Sequence, residues 1–85
     1  MPDNVAVLPP AALSAEGETT LQQWLVVRGD EVYAGERIAE IVIPGILVSV
    51  SAPCSGRIDE IIAAPQTAVR PGDVLAWIVP EDIGS

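Results

Sequence analysis

Few residues in this chain could carry chemistry. Cys54 is the only cysteine. The carboxylates come in short runs, Asp30-Glu31, Asp59-Glu60 and Glu81-Asp82, and Glu36 and Asp73 each follow a glycine. There is no His and no Lys. Without His, a His-based triad is excluded, and so is the usual imidazole metal ligand. Without Lys there is no Schiff base, no P-loop lysine and no amine to hold a covalent cofactor. One thiol forms neither an internal disulfide nor a multi-thiolate zinc site, which leaves the redox compartment open. With no His or Lys to activate it, and Arg57 the nearest cation in sequence, Cys54 reads as a small buried hydrophobe. The carboxylates read as a charged rim rather than an acid/base pair. No catalytic and no metal-binding residue is assigned.

The elements that would position any site follow from composition. The 85 residues make one domain, and 49% of them are apolar, which excludes a disordered chain. Four arginines against twelve Asp and Glu give a net charge of −8. Such a surface repels phosphate backbones, so nucleic acid and anionic membranes are excluded as partners. Met1 to Pro10 lacks the basic start and apolar run of a signal peptide. The longest nearly apolar stretch, Ile41 to Val50, is too short to span a bilayer, which takes about 20 residues. The expectation is a soluble, cytoplasmic protein.

Eight prolines and seven glycines punctuate short runs rich in Val and Ile. This is the pattern of an all-β domain. Strands are predicted over Val5–Leu8, Leu21–Val27, Arg37–Ile43, Ile46–Ser51, Gly56–Ile62 and Val74–Val79. The segment Ala11–Thr19 allows a helical turn but reads better as loop. The chain also repeats itself. Shifted by 37 residues, Leu21 falls on Ile58, Val32 on Val69, Gly35 on Gly72, Glu36 on Asp73, Ile38 on Leu75 and Ile41 on Ile78. Each half reads strand, polar turn, Val-x-x-Gly-acidic turn, strand. Neither half buries enough apolar surface alone, but two small sheets packed face to face share one core. Gly35 and Gly72 supply the positive φ of the tight turns, and Glu36 and Asp73 are solvated turn residues. Trp24 and Trp77 are further candidate anchors for a partner, though such residues more often cap the core of a small β-domain that has no Phe.

These residues resemble the lipoyl/biotinyl-attachment domain family. Trp24 to Ile41 (Trp24-Leu25-Val26-Val27-Arg28-Gly29-Asp30-Glu31-Val32 and onward) resembles the first half of a lipoyl domain, the swinging-arm carrier of 2-oxo acid dehydrogenase complexes. Ala52-Pro53-Cys54-Ser55-Gly56-Arg57-Ile58 resembles the element that opens the second half in lipoyl and biotinyl domains. Val69-x-x-Gly72-Asp73-x-Leu75-Ala76-x-Ile78 resembles the closing strand. The resemblance implies a flattened barrel-sandwich hybrid of two four-stranded sheets with a pseudo-two-fold axis. The expected organisation is residues 1–20 as an N-terminal strand and loop, 21–80 as the lipoyl/biotinyl-like domain, and 81–85 as a tail or the start of a linker.

The resemblance also implies lipoate or biotin joined to a lysine at the tip of the hairpin between the halves. The lipoyl spacing puts that lysine at Gly45 and the biotinyl spacing puts it at Pro44. Neither has an amine, and the acidic neighbours usual for a lipoyl lysine are missing from Ile41-Val42-Ile43-Pro44-Gly45-Ile46-Leu47-Val48. No cofactor is therefore expected. The second half departs as well, with Gln66-Thr67 where many members repeat Gly-Asp.

Pro-Gly suits a type II turn, whereas two-residue hairpins prefer types I′ and II′. The loop at Pro44-Gly45 is therefore expected to be wider than two residues or splayed. Strand alternation keeps Ile43, Ile46 and Leu47 from all pointing inward. Two readings stay open. The exposed groups fold over the barrel end, or Ile43, Pro44, Gly45, Ile46 and Leu47 form a docking surface for a protein partner or a second copy. Burying about 300 Å² of such a patch would contribute roughly 7 kcal/mol before association costs.

Two functions follow. In the first the chain is a lipoyl-like module without an attached cofactor, a structural or protein-interaction domain and not an enzyme by itself. In the alternative it is a domain or subunit of a 2-oxo acid dehydrogenase-type acyltransferase, or of a biotin-dependent carboxylase system, with the chemistry supplied elsewhere. Membrane-fusion adaptors share the two half-motifs but split them with a long helical hairpin that this chain lacks.

Overall fold

The computed structural model describes residues 4–10 and 19–81. Most of the loop expectation over Ala11–Thr19 and of the tail expectation over 81–85 lies outside them. The described residues form strands and turns and no helix. The strands are β1 (Val5–Val7), β2 (Thr20–Trp24), β3 (Glu31–Val32), β4 (Arg37–Ile43), β5 (Ile46–Ser51), β6 (Gly56–Ile61) and β7 (Ala76–Pro80). One sheet has the order β1-β7-β6-β3 and the other β2-β4-β5. All pairings are antiparallel. The fold class is thus the expected all-β sandwich.

The repeat seen in the sequence is built into the hydrogen-bond ladders. β2 pairs with β4 through Thr20↔Val42, Leu21↔Ile41, Gln23↔Glu40 and Trp24↔Ala39, with an irregularity between Leu21 and Gln23. Moving each residue on by the repeat length gives the β6–β7 ladder. Its pairs are Arg57↔Val79, Ile58↔Ile78, Glu60↔Trp77 and Ile61↔Ala76, and its irregularity falls between Ile58 and Glu60. A bulge bends its strand and raises the local twist, so matched bulges give both halves the same curvature.

The sheets differ in one respect from the expected pair of four-stranded sheets. The repeat equivalent of β3 is Ala68–Val69, and it makes only an isolated bridge, Thr20↔Ala68, with Val69 N–H donating to the Thr19 carbonyl at 2.8 Å. The second sheet therefore has three strands and a one-bridge remnant of a fourth. Gln66, two residues before that remnant, holds the left-handed φ of +69° that its equivalent Gly29 holds at +94°. The two-residue strand β3 was not predicted at all, because Glu31-Val32 is too short to show a period. Leu25 to Val27, expected as strand, leaves the ladder after one bond from Leu25 N–H to the Ile38 carbonyl.

The core lies between the sheets. Leu21, Ile38, Ile41, Ile58, Leu75 and Ile78 are fully buried, joined by Val7, Val32 and Val50. Leu21/Ile58, Ile38/Leu75 and Ile41/Ile78 are repeat equivalents, so each half contributes the same positions to one shared interior. Trp24 packs against this cluster and donates its indole N–H to the Ala63 carbonyl at 2.8 Å. Cys54 is half-buried and packs against it too.

Candidate functional site

The β4–β5 hairpin positions the residues that the sequence singles out. β5 runs back along β4 through Ala39↔Val50, Glu40↔Ser49, Ile41↔Val48, Val42↔Leu47 and Ile43↔Ile46. The ladder therefore continues to Ile43↔Ile46, and Pro44-Gly45 is a two-residue loop. This corrects the expectation of a wider or splayed loop. Gly45 adopts φ +82°, the value of the second corner of a type II turn after a proline. Nothing lies within 4 Å of where its Cβ would sit, so the backbone conformation favours glycine here by about 1–2 kcal/mol while space would admit a side chain.

Strand alternation sorts the tip. Ile41 and Val50 are buried, which turns Ile43, Ile46 and Val48 to the inner side of the sheet. Ile43 packs on the core cluster. Ile46, one step past the end of the barrel, is 59% exposed although it faces the inner side. Leu47, on the outer side beside Val42, is 57% exposed. Pro44 and Gly45 are exposed. The tip is thus an apolar knob of Pro44, Ile46 and Leu47 with Ile43 anchoring its base.

Pro44 and Gly45 present no amine, thiol or hydroxyl, so the tip does not fit a lysine-linked lipoyl or biotinyl group. Among the described residues, no group of three or more His, Cys, Asp and Glu side chains is arranged to hold a metal ion.

The carboxylates have a role that the sequence reading missed. Glu36 accepts the N–H of Tyr33 at 3.0 Å, and its equivalent Asp73 accepts the N–H of Arg70 at 2.9 Å. Asp30 accepts the N–H of Val27 in the same i−3 manner at 3.0 Å. These side chains clasp their own turns, as acidic residues do when they bond to nearby backbone. The signal was present in the sequence, since each acid lies three residues after the N–H it accepts. A separate groove of about 500 Å³ is built by other strands, with Tyr33, Gly56, Arg57, Val79 and Glu81 among its walls.

The fold finds its match among known proteins. The biotin/lipoyl family model, described as biotin-requiring enzyme, matches residues 7–78. The chain belongs to this family. A curated relative is the dihydrolipoyllysine-residue succinyltransferase component of the 2-oxoglutarate dehydrogenase complex of Buchnera aphidicola subsp. Schizaphis graminum (strain Sg). It is 23% identical over 77 residues, which are 91% of this chain and 20% of the relative. The chain thus spans about a fifth of that protein's length.

Two solved structures extend the comparison. The crystal structure of Kluyveromyces lactis urea carboxylase matches with a TM-score of 0.74 and 25% identity, over 91% of this chain and 6% of that one. The solution structure of the lipoyl domain of the 2-oxoglutarate dehydrogenase complex from Azotobacter vinelandii matches with a TM-score of 0.70 and 23% identity. That match covers 87% of this chain and 94% of the lipoyl domain. The match thus takes in nearly all of that lipoyl domain. Among the described residues of this chain, no helix is long and apolar enough to cross a membrane.

Proposed function

We propose that this chain is a biotin/lipoyl-family domain that works without a covalently attached cofactor, as a cytoplasmic structural or protein-interaction module and not as an enzyme by itself. One observation carries the reading. The hairpin tip, where the family resemblance places the attachment lysine, is Pro44-Gly45 in a chain that has no lysine. What remains at the tip suits contact rather than chemistry. Ile46 and Leu47 are more than half exposed on a chain of net charge −8, and an apolar knob on an acidic surface marks a recognition site. The interaction surface is Ile43, Pro44, Gly45, Ile46 and Leu47, facing a protein partner.

Intact-mass measurement of the protein from its native source tests the first part. The expected mass is that of the sequence. A mass increment of one lipoyl or biotinyl group overturns the reading. Gly45→Lys extends the test, because the flanking isoleucines and leucine are not the neighbours a lipoyl lysine has. Incubation with a lipoate ligase should leave that variant unmodified, and efficient modification contradicts the argument. The docking part is tested by Ile46→Glu with Leu47→Glu, which should abolish partner capture while leaving the thermal midpoint in place.

A second reading has its own support. The matched segment is a fifth of a succinyltransferase component and 6% of a urea carboxylase. In this reading the chain is the domain or subunit of an acyltransferase or carboxylase assembly whose chemistry lies in other domains or chains. Co-purification with such subunits supports it, and isolation of the chain free of them argues against it.

A further inference from the structure

We infer that β5 is a self-pairing edge: two copies of this chain join β5 to β5, antiparallel, about a two-fold axis at Val48. Among the described residues β5 pairs with β4 alone, at the edge of the three-stranded sheet. Ile43 and Ile46 close the two-residue loop as a bonded pair, and bonding alternates along an antiparallel ladder. The N–H and C=O groups of Leu47 and Ser49 therefore point away from β4, toward the open edge. An open edge is a template for another strand, and proteins blunt it with charges, prolines or bulges. β5 reads Ile-Leu-Val-Ser-Val-Ser and carries none of the first two. The irregularity in its ladder falls at the far end, between Arg37 and Ala39 of β4.

Charge permits a second copy as occupant, and the symmetry of the strand's inner row favours it. A chain of net charge −8 repels itself over most of its surface. From Ile41 to Gly56, however, no side chain is charged, and this segment holds all of β5. Among the residues of β4 and β5 the one carboxylate is Glu40, one strand in from the edge beside Ser49. In the paired sheet the two Glu40 side chains lie three strand spacings apart, about 14 Å, beyond the screening length of about 8 Å at physiological salt. The inner-side row of β5, Ile46, Val48 and Val50, also matches its own reverse. An axis at Val48 sets Val48 opposite Val48, Leu47 opposite Ser49 and Ile46 opposite Val50. The inner-side residues then continue across the seam as one apolar row, and the result is a closed, isologous dimer with a six-stranded sheet.

The test is sedimentation velocity on the full chain up to about 1 mM, the range in which a seam this narrow associates, paired with amide hydrogen exchange at low and high concentration. The mass doubles with concentration, and the Leu47 and Ser49 amides gain protection in the dimer. Ser49→Pro deletes an N–H that faces the open edge and leaves the β4–β5 bonds intact, so it abolishes the dimer. A chain that stays monomeric throughout overturns the inference. So does a dimer in which the Leu47 and Ser49 amides exchange at the monomer rate, which is the outcome if copies meet through the hairpin tip instead. Should Ser49→Pro fail to fold, exchange on the unmodified chain still decides. None of these outcomes depends on whether a cofactor is attached, which intact mass alone reports.

Discussion

Gly56 begins β6 and pairs with Pro80 of β7. A Cβ on Gly56 would sit 2.1 Å from the Val79 carbonyl oxygen, 2.8 Å from Ile78 Cγ2 and 3.0 Å from Pro80 Cα. Two of those three atoms are backbone, so no rotamer change relieves the clash. Drawing β7 away by about 1 Å would stretch the neighbouring ladder bonds beyond their usual 2.7–3.2 Å. It would also pull on Ile78, a fully buried core residue, and on the bond from Glu81 N–H to the Ser55 carbonyl. Gly56→Ala should therefore cost about 3 kcal/mol, the upper part of the range for overpacking. A chain of this size has roughly 4–13 kcal/mol in total, so the variant stays mostly folded but loses about 12–24 °C in Tm. Urea unfolding followed by Trp fluorescence measures it, with a lower midpoint and an unchanged m-value. Gly35→Ala is the control. Gly35 has φ +86° and open space around its Cβ position, so its cost is backbone strain alone, about 1–2 kcal/mol. A Gly56→Ala midpoint equal to the parent's, or above that of Gly35→Ala, would refute the close-approach argument.

Two further predictions follow from the repeat. Gln66→Gly should raise stability by about 0.5–1 kcal/mol, because it removes a left-handed non-glycine worth about 1–2 kcal/mol of strain and adds back about 0.5–1 kcal/mol of unfolded-state entropy. A lower urea midpoint would show instead that the bond from Gln66 Nε2 to the Gln22 carbonyl, 3.2 Å long, outweighs the strain. Glu36→Ala and Asp73→Ala should each cost about 1 kcal/mol, the worth of one turn-clasping hydrogen bond. Thermal midpoints that fall for one variant and not for the other would break the functional equivalence of the two turns.

The fold was legible where the physics is local. Val-Ile runs between breakers placed β4 at Arg37–Ile43 and β5 at Ile46–Ser51 with the observed ends. The repeat predicted a shared core, because burial at Leu21, Ile38 and Ile41 demands burial at Ile58, Leu75 and Ile78. What could not be read depends on partners distant in sequence. Glu31-Val32 is a strand only because Arg57 and Gly56 lie opposite it. Ala68 is bridged only because Thr20 lies opposite it, flanked by the bonds from Val69 N–H to the Thr19 carbonyl and from Leu21 N–H to the Thr67 carbonyl. The strand ends at Trp24 and Ile61 are likewise set where the sheets turn, after Leu25 and Ile62 make matching bonds to the carbonyls of Ile38 and Leu75.

The candidate site was legible as a residue set but not as a shape. Turn statistics argued against a two-residue Pro44-Gly45 loop, since a type II turn twists against its strands. Here the strands prevail. The inner-side residues Ile41, Ile43, Val48 and Val50 are held by the core or stacked toward it, and a one-residue slip in register would turn all of them outward. Burial of that row fixes the register up to Ile43↔Ile46, and the loop accepts the type II geometry that remains, with Gly45 taking the left-handed corner. The same constraint decides what the tip presents. Once the register is fixed, Ile46 must stand one step beyond the barrel and Leu47 must face outward, whatever residues form the loop. The apolar knob is therefore a consequence of core packing carried to the end of β4 and β5, and the sequence at Pro44-Gly45 determines only whether a reactive group crowns it.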